Sequence, residues 1–306
     1  MLDQATSRDD PGLSPAEMDD HLLAVSDRLD PSAIRDIVAG HLASGGDRAR
    51  ARLTYRTCRC AGLGHASAMA LAACVEALHQ ASLVHDDLTD RSALRRGRPA
   101  VWAEHGEAVA LAVGDHLISL SYACLADAAE VDPREGLVLV HRAVSATIRG
   151  QCADLQSDSP AGASDSGAGG GAGVLADWSR VAALKAGPLL ALGPDLAMTA
   201  RDDGAEARAM LRAACLRLAI GYQILDDCRD IAQDRAAERP EANLCLRFEA
   251  SGLTAAEAAD TALLHAECAL RRAARDASAV PGGLGAPVAR LCRTKLHETE
   301  ALVDAL

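Results

Sequence analysis

Aromatic side chains are nearly missing from this chain: they make up 2% of its 306 residues, as two Trp, three Tyr and one Phe. Alternating runs of β-branched and aromatic residues are equally scarce, which excludes a sheet-built fold. Lysine is almost absent as well; Lys185 and Lys295 stand alone, and every other basic residue is arginine. The formal net charge of −12 removes the electrostatic footprint of a nucleic-acid-binding protein. No uninterrupted apolar run reaches 18 residues, so no transmembrane segment is expected. Met1 to Asp10 is polar and acidic, unlike a signal or transit peptide. The ten cysteines are scattered, with Cys58 and Cys60 the one close pair, and they read as reduced thiols of a cytoplasmic protein.

What remains is rich in alanine and leucine, both strong helix formers, and 49% of the chain is hydrophobic. The expected fold class is all-α, a bundle of roughly ten helices. Residues 1–13 read as a disordered N-terminus, and 14–306 as a single domain. Ser14 followed by Pro15 marks a helix start, and Pro31-Ser32-Ala33 marks another. Ser44-Gly45-Gly46 interrupts the helical pattern. A long alanine-rich helix is expected over 66–89, then a basic turn from Arg91 to Pro99. Further helices are expected over 101–130, 133–155, 175–192, 203–233 and 254–277, and from Pro287 onward. Residues 157–173 are low in complexity and Gly-rich, and read as a mobile surface loop.

Two acidic clusters share one form: Asp86-Asp87-x-x-Asp90 and Asp226-Asp227-x-x-Asp230. On a helix, positions i and i+4 lie on one face. Like charges there repel by about 0.2–0.5 kcal/mol per pair, so two such clusters among apolar residues call for a cation. Carboxylate oxygens suit Mg²⁺, which takes one or two of them and fills its shell with water and phosphate oxygens. Arg95-Arg96-Gly97-Arg98-Pro99 follows the first cluster directly, and guanidinium groups match phosphate geometry. Lys185 offers a further point charge.

These motifs stand in order with others: Ser44-Gly45-Gly46-x-Arg48-x-Arg50, His79, Ser82-Leu83-Val84-His85 before the first cluster, Gly150-Gln151-x-x-Asp154-Leu155, Lys185, and Gln223-Ile224 before the second cluster. The array, from Ser44 to Asp230, resembles the trans-isoprenyl diphosphate synthases, also called polyprenyl synthetases. The resemblance implies the isoprenoid-synthase fold, an all-α bundle around a central cavity. It implies three Mg²⁺ held by Asp86, Asp87, Asp90, Asp226, Asp227 and Asp230. An allylic isoprenyl diphosphate would bind them, surrounded by Arg95, Lys185 and Gln223. Ionisation would rest on Asp86, Asp87, Asp90, Lys185 and Asp226. Isopentenyl diphosphate, the second substrate, would be held by Arg50, His79 and Arg96. Members of the family are generally homodimers. His85 is read as a packing or supporting residue, and Gln151 and Asp154 as either supports of the metal site or an ordinary buried pair.

Three positions depart from the family pattern. Asp47 stands where the glycine motif carries lysine, Ala186 replaces a threonine, and Ile231 to Asn243 replaces a Gly/Lys-rich loop, with Arg235 and Arg239 its only cations. At an effective dielectric near 20, one unit charge at about 4 Å is worth roughly 4 kcal/mol before screening, so Asp47 bears on the isopentenyl site and not on the allylic one. The leading expectation is a Mg²⁺-dependent prenyltransferase. Its product would be of geranylgeranyl length or longer, because Ala81 and Ser82, ahead of the first cluster, are small. The alternatives are a terpene synthase that quenches the allylic cation without isopentenyl diphosphate, and a non-catalytic subunit of a heteromeric synthase.

Overall fold

The computed structural model describes residues 12–29, 33–157, 171–201, 204–236 and 240–303. Among them the chain forms twelve α-helices and a single pair of two-residue strands, as its composition requires. The helices are α1 Pro15–Leu29, α2 Ala33–Leu42, α3 Ala49–Cys60, α4 His65–Thr89, α5 Val101–His105, α6 Glu107–Ala126, α7 Pro133–Ser157, α8 Gly171–Ala197, α9 Gly204–Asp234, α10 Leu244–Ala250, α11 Ala255–Ser278 and α12 Ala286–Val303; strands β1 Leu94–Arg95 and β2 Arg98–Pro99 lie between α4 and α5.

Local chemistry explains several boundaries. The Ser14 hydroxyl caps the Glu17 N–H, and the Glu17 carboxylate accepts from the Ser14 N–H at 2.8 Å, a capping box that starts α1. Leu13, assigned by composition to a disordered terminus, is buried together with Met18. These are the two positions of a hydrophobic staple, and they extend the packed chain ahead of the cap. Residues 1–11 lie outside the described residues, as does 158–170 of the low-complexity stretch. The last three residues of that stretch are helical, because α8 begins at Gly171. α8 also continues through Pro188 and Pro194, past the expected end at Leu192. The helix expected over 101–130 is broken at Gly106, whose φ is +90°, into α5 and α6.

The chain divides into two compact units, Met1–Val140 with Leu192–Asp202, and His141–Ala191 with Asp203–Leu306. In the first unit α4 packs on α3 and α6. Ala68, Ala70, Ala72, Ala73, Ala77 and Ala81 of α4 are fully or nearly buried, and side chains this small let helix axes approach closely. In the second unit α9 packs on α11, which packs in turn on α12. α11 buries Ala258, Ala262, Ala266 and Leu270 at four-residue spacing, one stripe of an amphipathic helix.

The rule of uninterrupted apolar runs missed one property. By length and composition three helices are apolar enough to cross a membrane: α4, α6 and the stretch Gly171–Ala200. Occasional polar residues break their runs without lowering the mean. In the fold their most apolar windows are 83%, 44% and 78% buried, respectively. α4 is therefore a core helix of the first unit and α8 is largely buried, while α6 keeps an apolar face uncovered.

Candidate active site

The first cluster occupies the last turn of α4. The carbonyl end of a helix already carries partial negative charge, so three aspartates there demand compensation. The structure supplies part of it. Asp87 turns inward, 2% exposed, and accepts a two-pronged bond from Arg95 at 2.7 and 2.6 Å. Asp86 and Asp90 stay partly exposed. Arg95 reaches back because β1 and β2 form a hairpin in which Arg95 pairs with Arg98. The two central residues, Arg96 and Gly97, have φ of +51° and +76°. Positive φ at both positions is what a type I′ turn needs. Sequence read this segment only as a basic turn.

Behind the hairpin lies a basic cluster. Arg50 Nη1 is 3.2 Å from His79 Nε2, and Arg50 Nε is buried without a hydrogen bond. The Arg96 guanidinium packs against Gly46 and donates to the Gly45 carbonyl. Neither arginine has a carboxylate partner among the described residues. Burial, then the charges of Arg50, Arg95 and Arg96, hold the His79 imidazole neutral, well below its ordinary range. Arg48 behaves differently. It is 4% exposed and spends its fork on Asp19 at 2.7 and 2.8 Å and on the Leu42 and Gly45 carbonyls. It is a packing residue of the glycine motif, and cannot turn to a ligand without leaving Asp19 and Glu76 unpaired. Asp47 is exposed and caps the Ala49 N–H at 3.0 Å. Its charge supports the protonated forms of Arg48 and Arg96, which places it within the field of the cluster. His85 lies against Gly114 of α6, with Nε2 buried and unbonded, as a packing residue.

In the second unit, α9 carries the other cluster. Asp227 is the counterpart of Asp87: it turns inward, accepts from the Leu244 N–H at 2.7 Å and from Gln223 Nε2 at 3.2 Å, and burial pushes its carboxyl up to about 7. Gln223 is thus engaged with the cluster itself. Asn243 braces the same point. It caps α10, and its Nδ2 donates to the Asp227 carbonyl at 2.7 Å and to Asp234 at 2.8 Å. Asp226 pairs with Arg229 at 2.9 Å. Asp230 is exposed, and partial desolvation of its carboxyl, then Asp234, raises it above the ordinary carboxylate value. Lys185 Nζ bonds Asp154 at 2.8 Å. That bond depends on Gly150: a Cβ there would stand 2.6 Å from the Leu184 carbonyl carbon and 2.7 Å from the Lys185 nitrogen, so only glycine lets α7 meet α8 at this point. The motif Gly150-x-x-x-Asp154 is therefore a device for holding Lys185.

Asn243, Asp234, Arg229 and Glu298 were missed by sequence reasoning. Asn243 left a readable sign, a cap residue ahead of Leu-Cys-Leu. The role of Glu298, from α12, had none. Each cluster thus has one inward aspartate fixed by protein donors and two that face outward. Among the described residues no three His, Cys, Asp or Glu side chains converge on one point. An ion here would take one or two carboxylates and complete its shell with water and phosphate oxygen, the coordination Mg²⁺ prefers. The donor set is oxygen throughout, so the residues fit that ion.

The chain matches a family model described as polyprenyl synthetase over residues 31–241. It is 31% identical to the (2E,6E)-farnesyl diphosphate synthase of Mycobacterium tuberculosis over 217 residues, 67% of this chain and 57% of that enzyme. The match thus spans little more than half the relative's length. Among solved structures, a geranylgeranyl pyrophosphate synthetase from Geoglobus acetivorans superposes with a TM-score of 0.77 at 18% identity, over 92% of this chain and 98% of that one. A polyprenyl synthase from Caulobacter crescentus, solved with calcium and isoprenyl diphosphate, superposes with a TM-score of 0.72 at 22% identity, over 92% and 94%. At these identities the likeness is one of fold.

Proposed function

Because the chain belongs to the polyprenyl synthetase family, we propose that it ionises an allylic isoprenyl diphosphate with Mg²⁺ and extends it with isopentenyl diphosphate. The allylic carbon–oxygen bond breaks and pyrophosphate departs. The isopentenyl double bond then attacks the allylic carbon, a carbon–carbon bond forms, and one proton is lost. The observation that carries elongation, and not ionisation alone, is the basic cluster of Arg50, Arg96 and His79. Among the described residues its two arginines form no ion pair with a carboxylate, although Asp47 and the buried Glu76 lie within their field. The cluster is built from residues other than the first aspartate cluster, which supports provision for two diphosphates.

Asp86, Asp90, Asp226 and Asp230 are the outward carboxylates that would hold ions, while Asp87 and Asp227 are buried and bonded inward. Bound Mg²⁺ would neutralise charge developing on the departing diphosphate. Arg95, held by the buried Asp87, presents a fixed cation beside the first cluster, and Lys185, held by the buried Asp154, presents one in the second unit. Ser82, small and partly exposed one turn before the first cluster, would leave a growing chain room, in favour of a product of geranylgeranyl length or longer, whereas Ala81 is buried in the helix packing. The uncovered face of α6, with Leu111 52% and Tyr122 44% exposed, fits a second copy of the chain. None of the ten cysteines forms a disulfide, in keeping with a reducing compartment.

Asp47 favours a second reading, quenching of the allylic cation without isopentenyl diphosphate, because it sets a carboxylate beside Arg96. Against it, the Tyr222 ring already faces the Lys295 ammonium at 4.1 Å and is not offered to a carbocation. Asp86→Ala and Asp226→Ala are each expected to lower pyrophosphate release by about a hundredfold or more. Full turnover in both variants would overturn the reading.

A further inference from the structure

The second cluster contains a cation of its own, and the C-terminal helix holds it. Arg229 sits between Asp227 and Asp230 on α9. Its Nη1 donates to Asp226 Oδ1 at 2.9 Å, and its Nη2 donates to Glu298 of α12. Glu298 also accepts from Lys295 Nζ at 3.0 Å. The Lys295 side chain is 6% exposed and lies over the Tyr222 ring at 4.1 Å. Tyr222 and Arg229 are seven residues apart, two turns along one side of α9, so α12 grips that side at both points.

We propose that Arg229 is a diphosphate-binding residue, aimed by Glu298 and Lys295; the inference rests on the diphosphate chemistry assigned above. An exposed ion pair that merely balances Asp226 at i,i+3 needs no support. Here a nearly buried lysine, costly to desolvate, is spent on fixing the carboxylate that fixes the guanidinium. A guanidinium has five N–H donors, of which Asp226 and Glu298 engage two, and the side chain is 32% exposed. Its remaining fork is the group that recognises phosphate oxygens in pairs. Other described cations near the cluster in sequence are occupied. Arg235 makes a two-pronged bond to Glu249 at 2.8 and 2.7 Å. A diphosphate drawn to Asp226 through an ion would have the Arg229 guanidinium beside it, 2.9 Å from that carboxylate.

The test is calorimetric titration of the full chain with inorganic pyrophosphate in Mg²⁺, using Arg229→Ala, Arg229→Gln, Glu298→Ala and the double variant Arg229→Ala/Glu298→Ala. Arg229→Ala is expected to weaken pyrophosphate by about tenfold or more. Arg229→Gln, which keeps most of the side-chain bulk, gives the same reading should the alanine variant fail to fold. Glu298→Ala is expected to weaken binding in the parent and to add nothing once Arg229 is gone, the signature of a residue acting through another. Unchanged or tighter binding in the Arg229 variants would make that arginine a counter-ion only. Equal losses from Glu298→Ala in both backgrounds would overturn the aiming role. A parent chain that binds no pyrophosphate in Mg²⁺ would overturn the diphosphate reading itself, an outcome distinct from the other two.

Discussion

Asp47 is the residue on which the proposed use of isopentenyl diphosphate turns. Its carboxylate is exposed, and a charge of the opposite sign at that place would add to the field of Arg50 and Arg96 instead of opposing it. Solvent screens most of the unscreened energy. Asp47→Lys is therefore expected to lower the KM for isopentenyl diphosphate by about tenfold with kcat little changed; steady-state kinetics giving an equal or higher KM would contradict this. His41 sets a different dependence. Burial, then the charge of Arg95, lowers its pKa to about 4, and its Nε2 lies 2.9 Å from Gln80 Oε1. The unfolded chain binds a proton at this group near its ordinary value, before the folded chain does. The stability tied to a neutral His41 is thus full above about pH 6.5 and is lost as pH falls toward 4, roughly 3 kcal/mol in all. His41→Gln is expected to flatten the fall in Tm between pH 7 and pH 5, and an unchanged slope would refute the assignment. At this scale sequence exposed Asp47 plainly, because a motif reports residue type. It assigned Arg50 and not Arg48 to the second diphosphate, but gave no sign that Arg48 is spent on Asp19, since that contact is decided by tertiary packing.

At the level of elements, capping chemistry and close approach decide what each helix can present. The helix starts at Ser14 and Thr254 were legible from cap residues ahead of helical patterns, and the structure adds that Glu17 and Glu257 complete capping boxes there. α10 was not, since its cap lies at the end of a polar stretch that read as loop. Asn243→Ala removes the cap and two donors beneath the second cluster, and is expected to cost about 1–3 kcal/mol, measured by urea unfolding. A cost near zero would show that solvent replaces those bonds. Gly150→Ala is expected to lower Tm by several degrees and to reduce kcat, because α7 and α8 must separate and Lys185 loses its register with Asp154. The alternation of inward and outward aspartates was also hidden. Helical periodicity puts i and i+4 on one face, but the partner that captures i+1 comes from the hairpin in one case and from α10 in the other.

For the whole molecule, composition and helical period were enough to read an all-α chain in the correct order of segments. Alanine-rich cores need no long-range information to be recognised. The membrane-like hydropathy of α4, α6 and α8 follows from the same alanine content, and only packing shows which faces are covered. The open face of α6 is expected to support a homodimer, so that Leu111→Arg with Tyr122→Arg shifts the molecular mass by light scattering from two copies to one; a parent chain that is already monomeric would refute it. Two diphosphates and one ionisation remain the core of the account. The direct test is incubation with Mg²⁺ and geranyl, farnesyl or geranylgeranyl diphosphate, each with and without isopentenyl diphosphate, with products read by mass spectrometry. A longer isoprenyl diphosphate that forms only when isopentenyl diphosphate is present is the predicted result. A hydrocarbon or alcohol formed from the allylic diphosphate alone would contradict elongation and make Asp47 the mark of a lost second site.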